Sequence, residues 1–390
     1  MKCLIACLSL ISLVSMAAEQ AQTQTREPTP LPSVEVRAQL ADRAQKPYSE
    51  MLRAMDAFDE YQRKNPDTEL RFRLYSRRKD MDARRIRLNL VTASRSVPIE
   101  LAPDLSFTLP RISDMAVQHA MLQANVKVGD LGWRAQVSRR GDPPNLFRLG
   151  DLRLACKLHF LTTNLARTGG TKVLPGSDKP SFCGESAVNN FAERSLFAMH
   201  LSPSEGVAHS IADGPMFAIH LSHGQRRMSL LSNRLNGNAL PQAVQPLLDW
   251  PLIPERVYFP PIADTRWPDD TLVRIEYLEG DGTANTPLPT ALANKLQMGR
   301  SRRSELQQLM GTPTIQRFDN GYEVWTYRQL NGVPGWVNYV PFVGAFMPNM
   351  DDRSFEHAFL FGADGVLRKY DLRGGLGGGR QALEWASGLK

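Results

Sequence analysis

The sequence predicts a mainly β protein: an antiparallel, sandwich-like β domain followed by a small α-α-β-β-β module. Between 67 and 282, apolar and polar residues alternate in many short runs separated by Pro, Gly and Asp turns, the pattern of strands with one buried face. Between 288 and 373 a helical pattern gives way to three strand-like runs. A composition of 42% hydrophobic and 22% charged residues belongs to a globular chain, not a disordered one.

Residues 1–17 read as an export signal. Lys2 supplies the positive start, Leu4 to Met16 the apolar core, and Ser15-Met16-Ala17 a small-x-small cleavage site. At about thirteen residues the apolar run is shorter than the roughly twenty that span a bilayer. A retained anchor is the alternative. Cys7 precedes most of the apolar run, where a lipid-attachment cysteine would follow it. The expected location is the periplasm, with association to the outer membrane as an extension. Residues 18–34, rich in Gln, Thr and Pro, read as a flexible lead-in. A helical segment, 35–66, follows, broken near Pro47. Its second half lines up Met51, Leu52, Met55, Phe58 and Tyr61 on one side and stops at Asn65-Pro66.

In the β domain, Leu70, Phe72 and Leu74 alternate with Arg71, Arg73 and Tyr75, and Ile86, Leu88 and Leu90 with Arg87 and Asn89. Val97–Leu101 and Leu105–Leu109 flank Ala102-Pro103-Asp104 and predict a hairpin. Further strands are expected at 121–128, 133–137, 152–160, 197–202, 217–222, 257–259 and 272–277. In the run 152–160, Leu152, Leu154, Cys156, Leu158 and Phe160 share one face if it is a strand. With the signal removed, Cys156 and Cys183 remain. In an oxidising compartment they are expected to form one disulfide, which in the chain-entropy model stabilises by roughly 3–4 kcal/mol. About 370 mature residues exceed what one core usually holds, and the Gly- and Thr-rich stretch 279–287 is the expected boundary.

The net charge of +7 comes mostly from scattered arginine pairs such as Arg77-Arg78, Arg139-Arg140 and Arg302-Arg303. A nucleic-acid-binding chain gathers its charge on one helix or stripe, so nucleic acid is not an expected partner. Peripheral contact with anionic headgroups stays open. The hexapeptides 197–202 and 217–222 are nearly identical and place His200 and His220 alike, with His209 and His223 nearby. Converging histidines would make these four candidate metal ligands; the plainer reading puts them on a solvated strand face. Gly184-Glu185-Ser186-Ala187 lacks the second glycine of a nucleophile elbow. Asp269-Asp270 and Asp351-Asp352 lack the surrounding oxygens of a calcium cage. The glycine-rich tail, 374–390, opens no helix and makes no phosphate cradle. No cofactor and no catalytic centre are therefore expected.

In the C-terminal module, Gly299 interrupts a helical pattern that resumes at Ser301–Ser304, with Glu305 at its positive end and Gly311 and Pro313 ending it. Gly299, the run Leu309-Met310-Gly311-Thr312-Pro313, then Trp325-x-Tyr327, then Phe361-x-x-x-Gly365-Val366-Leu367 together resemble the SmpA/OmlA family, which includes a small lipoprotein subunit of the outer-membrane β-barrel assembly machine. The resemblance covers about residues 288–373. It implies two helices on a three-stranded sheet, an envelope location, and work through protein or lipid contact. Arg300 departs from the family's apolar residue, and the lipid-attachment cysteine is missing. The insertion 330–353 is rich in Gly, Pro and aromatics, and Trp336, Tyr339, Phe342, Phe346 and Met347 are its candidate interaction surface; the alternative is that it fills a seam between domains. The expected function is thus a non-enzymatic envelope factor with a protein partner. The rivals are a periplasmic hydrolase or metal enzyme built on the histidines, and a glycan-binding sandwich using Trp250 and Trp267.

Overall fold

The computed structural model describes residues 43–78, 80–162, 210–235, 254–262, 264–280, 286–330 and 354–374. The export signal, the lead-in, the expected strand 197–202, the insertion and nearly all of the glycine-rich tail lie outside the described residues. Strand outweighs helix, and the sheets are antiparallel, as expected of a mainly β chain.

The first element corrects the sequence reading. Arg43–Pro47 is a strand (β1), not part of a helix; it pairs with 121–127 and buries Ala44. It lies at a sheet edge, where Pro47 costs no ladder hydrogen bond. Tyr48–Gln62 (α1) is helical as expected, with Met51, Ala54 and Phe58 spaced along its buried side. Thr68–Ser76 (β2) is followed by Leu88–Val91 (β3), Ser96–Ile99 (β4), Ser106–Phe107 (β5), the short helix Ser113–Val117 (α2), Met121–Lys127 (β6) and Leu131–Arg139 (β7). They form two antiparallel sheets, β1-β6-β3-β4 and β5-β2-β7. Phe72, Leu74, Trp133 and Val137 of one sheet share a core with Leu88, Leu90 and Leu122 of the other and with α1.

The expected hairpin at 97–109 does not form. The turn exists, with the Leu105 N–H bonded to the Ala102 carbonyl at 2.8 Å. Yet β4 pairs with β3 and β5 with β2, so the turn carries the chain from one sheet to the other.

Leu146–Arg148 (β8) leads into Leu149–Leu161 (α3), a helix where the alternating leucines predicted a strand. Leu149 and Leu152 face a second core while Leu154 and Leu158 face the first. A helix wedged between two cores is apolar on both sides, and such a helix imitates a period of two. Gly150 is pressed against the 264–270 turn, its N–H bonded to the Asp269 carbonyl at 2.9 Å. A Cβ there would sit 2.7 Å from the Asp269 Cβ and 3.1 Å from its carbonyl oxygen. Gly150→Ala is therefore expected to destabilise by about 1–3 kcal/mol, measured by urea denaturation; a loss under about 0.5 kcal/mol would mean that the turn moves aside freely.

The second core is built on Ser210–Ile211 (β9), Met216–His223 (β10), Arg226–Ser229 (β11), Val257–Tyr258 (β12) and Leu272–Tyr277 (β13). The main sheet runs β11-β10-β13-β8. Trp267, expected as an exposed glycan-stacking ring, is fully buried beneath the Arg226 guanidinium at 4.3 Å. It is a core residue and offers no stacking face.

The C-terminal part comprises Thr290–Ala293 (α4), Arg303–Met310 (α5), Thr314–Arg317 (β14), Glu323–Leu330 (β15), Ser354–Phe361 (β16) and Leu367–Gly374 (β17). Gly299 and Gly311 both take positive φ, 76° and 82°, where a side chain would be strained. The sheet is a four-stranded meander, β14-β15-β16-β17. The expectation of three strands missed β14, a short edge strand directly after the Gly311-Thr312-Pro313 helix stop. Described residues on both sides of 281–285 belong to one compact unit.

Candidate functional site

On β10, Met216, Ile219 and Leu221 face the second core, while a register shift between Met216 and Ala218 puts Phe217 on the other side with Ala218 and His220. The His220 side is not solvated, because the C-terminal sheet covers it. Phe217, Ala218 and Leu278 pack there against Val324, Ala358 and Leu360. Beside this apolar patch lies a layer of charge in which Glu276, Glu356, Lys369, Asp371 and Arg373 are each no more than 7% exposed.

Asp371 accepts hydrogen bonds from the Ser229 hydroxyl and, at 3.0 Å, from the Thr286 hydroxyl, and its carboxylate is 3.7 Å from Arg373 Nε. Arg373 also donates to the Phe217 carbonyl. Lys369 Nζ donates to the Tyr277 carbonyl at 2.8 Å and lies 3.3 Å from Glu276. Glu356 accepts from the Ser232 N–H at 2.8 Å and hydroxyl at 2.9 Å. His220 Nε2 is 3.3 Å from Glu276, and its Nδ1 is 4.0 Å from Asp371. Burial disfavours the charged imidazole, but the Glu276 hydrogen bond and the Asp371 charge outweigh it and raise the His220 pKa. This layer ties the β10–β13 sheet to β16 and β17.

Of the other sequence candidates that are described, His223 and Cys156 do not join it. His223 is three residues along the same strand and so on the opposite face; it pairs with Asp270 at 3.3 Å and is 43% exposed. His200 and His209 lie outside the described residues, as do Cys183 and the aromatic candidates Trp336, Tyr339, Phe342, Phe346 and Met347. Cys156 is on α3, not on a strand. Among the described residues, no three His, Cys, Asp or Glu side chains are grouped to hold a metal ion.

A second feature was not singled out from sequence. The non-core faces of β2 and β7 carry Arg71, Arg73 and Tyr75 opposite Gln136, Arg134 and Gly132. They form one wall of a cleft of about 420 Å³, closed on other sides by α3 and by residues around Ile211, Tyr258 and Tyr277. Arg73 donates to the Asp104 carbonyl at 2.8 Å and to the Asp213 carboxylate, and lies 5.1 Å from the Tyr75 ring. The Tyr75 hydroxyl accepts from Gln136 at 3.0 Å, and burial pushes its pKa up to about 12. Burial brings Arg134 down to about 10, opposed by Tyr75 and reinforced by Arg77. Arg71 Nε and Asp142 Oδ2 are buried in this region without a hydrogen-bond partner. The signal in the sequence was the strict alternation of Arg71 and Arg73 with core residues, which reads as a wet strand face until a second layer is known to stand over it.

No family model, curated protein or solved structure matches this chain.

Proposed function

We propose that this chain is an exported, non-enzymatic protein of the cell envelope that acts by binding a partner protein through its C-terminal sheet and the connection that sheet carries. The carrying observation is the pairing of β15 with β16, in register from Glu323 opposite Phe361 to Leu330 opposite Ser354. Residues 331–353, with Trp336, Tyr339, Phe342, Phe346 and Met347, thus leave from and return to adjacent strand ends on a sheet fixed by a buried charge layer. Rigid anchoring of a binding segment lowers the ordering cost of association. The SmpA/OmlA resemblance, with Gly299 and Gly311 at positive φ, supports an envelope role near the outer membrane. His220 supports binding over hydrolysis, because its nitrogens face Glu276 and Asp371 within the layer. We also propose the Cys156–Cys183 disulfide, which non-reducing peptide mapping would detect.

The test is crosslinking in cells with tagged mature protein, beside a strain lacking 331–353, read by mass spectrometry. An envelope protein captured by the full chain and lost with the deletion is the expected result. Equal capture by both strains would remove the connection from the function. Stoichiometric zinc in the purified protein, lost in a His200→Ala, His220→Ala variant, would replace this reading with the metal-enzyme one.

A further inference from the structure

Arginines that look scattered in the sequence meet basic neighbours at one corner of the β1-β6-β3-β4 sheet. The Asn125 side chain, on β6, accepts from the Arg87 N–H at 2.7 Å and donates to the Arg85 carbonyl at 2.9 Å. Lys127 lies two residues further along β6 and is exposed, with Arg43 of β1 opposite it. The Arg84 and Arg85 side chains, on the 83–85 turn, are 95% and 88% exposed and share the Asp82 carboxylate at 3.5 and 3.6 Å. Ion pairs so exposed are worth little and exchange readily. Just past Lys127, the turn between β6 and β7 holds out Val128, 63% exposed. Six cations gather here: Arg43, Arg78, Arg84, Arg85, Arg87 and Lys127. Four carboxylates stand among them: Asp80 and Asp130 beside Arg78, Asp82, and Glu100, which follows the Ile99 paired with Leu88. The described residues therefore leave a surplus of two positive charges around a projecting apolar side chain.

We propose that this corner is a contact surface for anionic bilayers, with Arg84, Arg85 and Lys127 at the lipid phosphates and Val128 in the head-group layer. Anionic head groups lying over hydrocarbon match cations set beside an exposed apolar tip. Guanidinium forks fit phosphate oxygens in particular. A wholly polar anion would satisfy the cations and leave Val128 in water. The corner belongs to the first sheet, not to the C-terminal sheet that carries 331–353, and does not depend on the partner-binding reading.

The experiment is co-sedimentation of the mature full chain with vesicles at about 0.05 M salt, where surface charge is weakly screened. Vesicles with phosphatidylglycerol as about two in five lipids, the rest phosphatidylcholine, should bind about tenfold or more tightly than phosphatidylcholine alone. Salt at about 0.5 M should release the protein. Arg84→Gln with Arg85→Gln should weaken binding about thirtyfold, the loss of two charges near an anionic surface. Val128→Ser should weaken it about threefold or more. Arg300→Gln with Arg302→Gln removes the same charge from exposed positions of the C-terminal part and should leave binding within about twofold. Equal weakening by the two arginine doubles would show attraction to net charge and not to a surface. Polyglutamate bound as tightly as the vesicles, at equal charge, would assign the corner to an acidic protein. Either result overturns the proposal. So does equal binding to phosphatidylcholine, no binding at all, or wild-type binding by the Arg84→Gln, Arg85→Gln protein or by Val128→Ser.

Discussion

Asp371→Ala is expected to lower the free energy of unfolding by about 3–5 kcal/mol, the cost of removing one partner from a buried charge pair. Asp371 is 1% exposed and receives hydrogen bonds from Ser229 and Thr286, with Arg373 and His220 on its other sides. Truncation leaves Arg373, itself 2% exposed, without its nearest carboxylate, and strands two hydroxyl donors. The Arg373 bond to the Phe217 carbonyl cannot neutralise its charge. Asp371→Asn keeps the shape and an acceptor, so its loss should be smaller by the charge component alone. Asp371→Asn combined with Arg373→Met should recover part of that loss, since well-packed apolar replacements of buried ion pairs are often neutral or better. Urea denaturation of the three variants would decide it. A loss under about 1 kcal/mol for Asp371→Ala would mean that water reaches the layer and that the two sheets are held by Phe217, Val324 and Leu360 alone. In that case the C-terminal sheet would be a poorer anchor for 331–353 than the proposed function requires.

The sequence was most legible where one element meets one core. The α1 side chains and the strands β2, β3, β6 and β7 send their apolar residues to one core, so period and burial agree. It was least legible where an element is buried on two sides. The α3 leucines serve two cores and take on a strand-like spacing. Lys369, Asp371 and Arg373 alternate with Tyr370 and Leu372 on β17 as a solvated strand would, yet β10, β11 and β13 cover them. No local pattern separates a charge facing water from a charge facing another charge across a sheet interface, because the distinction lies in a partner far away in the chain. The same limit hid the cleft: Arg71, Arg73 and Arg134 acquire their meaning only when α3 and the 258–277 region stand over them. Trp267 failed in the opposite direction, as an aromatic in a Pro- and Asp-rich turn that reads as exposed and is core.

Two histidines in the C-terminal half should give pH responses of opposite sign, and this separates them experimentally. His357 is fully buried, 2.8 Å from the Tyr370 hydroxyl and stacked on that ring at 5.9 Å. Burial holds its pKa down at about 4 against an ordinary 6.5. The unfolded chain therefore takes up a proton below 6.5 that the native fold refuses, and stability falls from there down to about pH 4. Over that window the loss from this one group amounts to about 3 kcal/mol. His220 works the other way. Its raised pKa means that the native state holds the proton more tightly, so its contribution is complete below 6.5 and is lost as pH rises through the folded value. Stability measured by urea denaturation from pH 4.5 to 8 should show both. His357→Phe should flatten the acid side by up to about 3 kcal/mol relative to the wild type, the carboxylates common to both proteins cancelling in the comparison. His220→Gln should leave the acid side intact and cost more stability at pH 6 than at pH 8. If His357→Phe keeps the wild-type acid slope, the imidazole is protonated inside the fold and β16 is wetter than its packing implies. If His220→Gln costs the same at both pH values, the layer between the sheets does not use the imidazole's charge, and Glu276 answers to Lys369 alone.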